Sequence, residues 1–66
     1  MDDSSELRLL FHRLNNQLGI ILAHAELLEA KLRDEASRAR AAQVVSSALD
    51  AMGTARELRR LTLDPV

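Results

Sequence analysis

Cysteine is absent from this 66-residue chain, which excludes a disulfide framework and any thiolate metal site. Charge of one sign is lacking too. Nine Lys and Arg against ten Asp and Glu leave a formal charge of −1, without the basic excess that a polyanion-binding surface requires. Nucleic acid is therefore not an expected partner. The longest apolar run, Leu18 to Ala23, falls far short of the roughly 20 residues that span a membrane, and the acidic start does not read as a signal peptide. No membrane span is expected, and a cytoplasmic location is the default. A chain this short buries only roughly 60% of the surface its unfolded form exposes, which is too little for a self-sufficient enzyme core. Without disulfides or metal, a scaffold of this size is expected to gain stability by pairing with a second copy.

Glycine and proline are equally scarce, and neither occurs between Ile20 and Met52. Nothing there forbids one continuous helix, so the phase of the apolar residues decides. Leu7, Leu10, Leu14, Leu18, Ile21, Ala25, Leu28 and Leu32 gather into one stripe of a helix running from about 4 to 33. Continued at helical steps, that stripe lands on Glu35, Ala39, Ala42, Ser46, Leu49 and Gly53, a poor seam. Ala41, Val44, Ala48, Ala51, Ala55 and Leu58 instead open a new repeat in a different phase, widened by Val45, Leu49 and Met52. Two helices follow. The second runs from about 37 to 61, with Asp34 or Ser37 as its cap, while Asp3 and Glu6 form an acidic capping box for the first, which starts near Ser4 or Ser5. Leu63 to Val66 read as a frayed tail, because Pro65 disfavours helical geometry in the residue before it. The expected fold class is all-α: an antiparallel two-helix hairpin forming a homodimeric four-helix bundle, since one hairpin has too little interior to bury both stripes.

One residue stands apart from this packing logic. His12 lies nearly opposite the leucine stripe, and Asn16, Gly19 and Ala23 follow it on the same face, leaving little side-chain bulk beside the imidazole. An outward nucleophile on an accessible track points to chemistry. His24 lies nearer the apolar face and reads as structural; roughly 18 Å along the helix separate it from His12, too far for a shared metal within one chain.

The string His12, Arg13, Leu14, Asn15, Asn16, Gln17, Leu18, Gly19, Ile20, Ile21, Leu22, continued by Ala25, Glu26 and Leu27, resembles the H-box of the dimerisation and histidine-phosphotransfer domain of two-component sensor histidine kinases. With the two-helix plan, the resemblance covers Glu6 to Leu61. It implies that His12 accepts a phosphoryl group and passes it to an aspartate of a response-regulator receiver. A neutral imidazole has the lone pair to attack phosphorus, and an exposed helical position admits bulky partners. It further implies that Asn16 orients the water that dephosphorylates the regulator. Gly19 and Ala23 would clear space for a docking helix, with Leu9, Ile20 and Leu27 offering apolar contacts at the edge of that face.

Two positions depart from the family pattern. Arg13 stands where a carboxylate assists proton removal, and a guanidinium cannot be that base; it would instead hold phosphate oxygens. Gln17 replaces a frequent proline and removes the expected kink. The asparagine and glycine-rich boxes of an ATP-binding domain are absent, so the chain is not expected to be a kinase alone. It binds no cofactor on this reading; ATP and magnesium enter only through a separate catalytic domain. The expected partners are a second copy, a receiver domain and such a catalytic domain. The alternative is a degenerate, kinase-like dimeric adaptor or a structural helical bundle without phosphotransfer.

Overall fold

The computed structural model describes residues 3–63, of which all but Leu32, Arg33 and Asp34 are α-helical. Helix α1 spans Asp3–Lys31 and helix α2 spans Glu35–Leu63. These bounds lie within two residues of the expected ones. Leu63, expected in a frayed tail, closes α2 instead, while positions 64–66 and the side chain of Asp3, on which the first capping box depends, lie outside the described residues.

The connection is made by a cap and not by glycine. The Leu32 N–H donates to the Leu28 carbonyl at 3.0 Å, closing α1, and the Arg38 N–H donates to the Asp34 carbonyl at 2.9 Å, opening α2. Between these bonds the carboxylate of Asp34 accepts from the Ser37 N–H at 2.8 Å, satisfying a donor that the first turn of a helix leaves without an intrahelical partner. Of the two candidate caps, Asp34 is the acceptor and Ser37 the donor. No described residue adopts a positive φ, so the turn asks nothing of glycine.

The helices have equal length and are symmetric about Arg33, which fixes how they meet. Phe11, Leu18 and Ala25 lie level with Ala55, Ala48 and Ala41, and both series recur at heptad spacing. The three alanines and Phe11 are buried with Ala25; Leu18, Leu22 and Asn15 are half-buried on α1, and Val45, Met52 and Ala51 on α2. A line of methyl groups lets the two backbones approach closely, and the bulk between them comes almost wholly from α1.

This seam splits the leucine stripe read from the sequence. Leu7, Leu18, Ala25 and Leu32 turn toward α2, whereas Leu10, Leu14, Ile21 and Leu28 stay 38–54% exposed on one flank. The reason is width: a row of alanines presents a narrow surface, and a single neighbour cannot cover the full apolar arc of α1. Phe11, Leu22 and half-buried Asn15 take the vacated places. Val44 and Leu58, expected in the α2 seam, are likewise 46% and 52% exposed. Ile21 and Leu28 share a shallow apolar recess with Val44, so the unpaired residues of both helices lie on the same flank. His24 lines that recess and is exposed, beside the apolar face on which the sequence places it.

Candidate functional site

Each residue of α1 turns the chain by about 100°, so the buried Phe11 sets the directions of its successors. His12 leaves the seam sideways, on the flank opposite Leu10, Leu14, Ile21 and Leu28. It is exposed, and its side chain makes no hydrogen bond or ion pair with another described residue. Asn16 follows one turn later and is exposed as well. Gly19 is half-buried, yet a Cβ added there would meet nothing within 4 Å, and Ala23 beyond it is exposed. The expected track of low bulk beside the imidazole is therefore present in the folded chain.

Leu9, Ile20 and Leu27 form the next strip round the helix, almost directly away from α2. They are 59%, 59% and 58% exposed, and no other described element covers them. The fold thus brings His12, Asn16, Gly19 and Ala23 together on one strip with this apolar strip beside it. Arg13 is not on the His12 strip. It lies about 100° further round, past the apolar residues, because neighbours in sequence do not face each other on a helix. Arg8, four residues before His12, is the cation that shares its face, a spacing legible in the sequence.

The chemistry available is that of an exposed imidazole, a primary amide and guanidinium groups. Among the described residues, no three His, Asp or Glu side chains converge in a set able to hold a metal ion. No described helix is long and apolar enough to cross a membrane. Comparison with family models, with curated proteins and with solved structures yields no match.

Proposed function

We propose that the chain is a dimeric phosphotransfer and docking module of the two-component type, in which His12 carries the phosphoryl group. The observation that supports this most is the exposed His12, held on a rigid helix beside the open surface at Gly19, within a string that resembles an H-box. A helix-borne nucleophile needs clear approach for in-line attack, and here its neighbours are small or polar. The nitrogen lone pair of the imidazole forms the P–N bond as a P–O bond of the donor breaks; the donor oxygen keeps the electrons, and the remaining ring proton leaves to solvent. Asn16 then orients water at a bound regulator, Leu9, Ile20 and Leu27 provide apolar contact to it, and ATP and magnesium act only through a separate catalytic domain.

The dimer belongs to the same reading. A folded monomer of 7.3 kDa exposes about 4,200 Å², whereas this chain exposes 5387 Å², an excess of about 1,200 Å². That excess is comparable to the roughly 800 Å² each partner buries in an ordinary interface. The flank of Leu10, Leu14, Ile21 and Leu28, continued by Val44 and Leu58, supplies the apolar area. Pairing two such flanks gives a four-helix bundle and leaves both His12 residues facing outward.

Incubating the chain with a phosphorylated receiver domain tests the assignment. Acid-labile phosphate is expected on the wild type and not on His12→Ala; equal labelling of the two ends the phosphotransfer reading. The adaptor alternative draws on Arg13, which stands in the place of a proton-accepting carboxylate. It is favoured if His12→Ala keeps full receiver binding while the wild type takes up no phosphate.

A further inference from the structure

The surroundings of His12 are basic in a way that the sequence order conceals. Arg8 precedes it by one turn on the same face of α1, a spacing that brings Cβ atoms to about 6 Å. A second arginine arrives from α2. Phe11 and Ala55 are level across the seam, so His12 and Arg56 are the residues that follow each member of one buried layer. Their flank is fixed by helical repetition. Arg56 lies eighteen residues after Arg38, five full turns, and points the same way. Arg38 shares a surface recess with Glu29 of α1, on the side of the hairpin away from the Ile21, Leu28 and Val44 recess. Arg56 therefore lies on the His12 flank, and all three side chains are exposed.

Among the described residues, the acids of this half of the hairpin point elsewhere. Glu6, Asp50 and Glu57 lie in other directions round their helices, and Glu57 is paired with Arg60. Neither Arg8 nor Arg56 has an ion pair or side-chain hydrogen bond with another described residue. His24 of the same helix is also exposed but sits beside Ile20, Ile21 and Leu28.

We propose that Arg8 and Arg56, one from each helix, form a phosphoryl-anion site around His12, holding the dianionic group while the imidazole bonds to phosphorus. Guanidinium groups suit this because each offers paired N–H donors to phosphate oxygens and stays charged throughout. The two are positioning residues; the ring nitrogen performs the displacement. This inference rests on His12 as the phosphoryl acceptor but does not need a protein donor.

Phosphoramidate, a small N-phosphoryl donor, is a direct probe. The imidazole lone pair forms a new P–N bond, the donor's P–N bond breaks, ammonia leaves, and the ring proton goes to solvent. Phosphorus NMR and acid lability report labelling at each histidine of the intact chain. In Arg8→Gln/Arg56→Gln the rate at His12 falls on the order of tenfold, the rate at His24 holds, and helicity by circular dichroism is unchanged. A control, Arg38→Gln/Arg40→Gln, removes equal charge at the turn end and leaves His12 labelling as it was. An unchanged rate at His12, or equal slowing at both histidines, overturns the proposal. The two proposals fail separately: loss of phosphoramidate labelling in the double variant, with no receiver exchange in the wild type, keeps the anion site and removes the relay. Receiver exchange that is equally fast in the wild type and the double variant does the reverse.

Discussion

Asp34 shows how much one side chain contributes to this fold. Hydrogen bonding from the Ser37 side chain, and then from the Ser37 backbone N–H, holds its carboxyl below the ordinary value of 3.8. A carboxylate with a lowered folded pKa stabilises the helix fully above its unfolded pKa and loses that contribution as pH falls through the folded one. Asp34→Ala is therefore expected to melt at a lower temperature than wild type at neutral pH, with the gap closing below pH 3.8. Asp34→Asn, which keeps an acceptor but loses the charge, should melt between Asp34→Ala and wild type at neutral pH. Thermal melts by circular dichroism across pH decide it; a gap that persists in acid removes the cap explanation. Gly19 separates stability from docking. With open space where a Cβ would go, Gly19→Ala is expected to stabilise the chain by about 1 kcal/mol. On the proposed docking role, the same methyl narrows the track beside His12, so receiver affinity should fall while the melting temperature rises.

Between the helices, the alanine line of α2 is the feature that sets the geometry. Ala41, Ala48 and Ala55 are buried at heptad spacing, and the space they leave is filled by Phe11 and Leu18 from α1. Ala48→Leu inserts bulk at the middle of this line and is expected to cost about 1–3 kcal/mol through overpacking. Ala23→Leu on the exposed face of α1 should change stability little, within about 0.5 kcal/mol. Denaturant titration of both variants measures the difference, and equal midpoints would contradict a seam built on the α2 alanines. The element boundaries were legible in the sequence because the phase of the apolar repeat changes between Leu32 and Ala41. The division of the leucines between seam and flank was not. Periodicity shows that an arc is apolar but not how much of that arc one neighbour covers.

The whole molecule is one helix thick, with extents of 50 × 20 × 10 Å and a radius of gyration of 15.3 Å, against about 11 Å for a compact chain of this length. A hairpin of that shape cannot enclose its leucines. On the proposed pairing of two hairpins, placing charge on the unpaired flank, as in Ile21→Glu/Leu28→Glu, is expected to shift the protein from dimer to monomer in sedimentation experiments at micromolar concentration. It should also lower the melting temperature, because the second hairpin's contribution to folding disappears with the dimer. Wild type sedimenting as a folded monomer would remove the four-helix bundle. A double variant that stays dimeric would move the interface to another face.

By itself the sequence determined the two helices, their turn, a cap at either Asp34 or Ser37, and the outward direction of His12. These follow from local rules: hydrophobic phase, capping chemistry and the rotation per residue of a helix. Only the tertiary arrangement decided that Phe11 is core, that Asn15 faces α2 while Asn16 does not, and that His24 borders an apolar recess. It also decided that Arg56, remote in sequence, lies on the flank of His12. Such facts depend on the register and rotation of one helix against another. Those are set by where small alanines permit close approach, a property of the pair that neither helix carries alone.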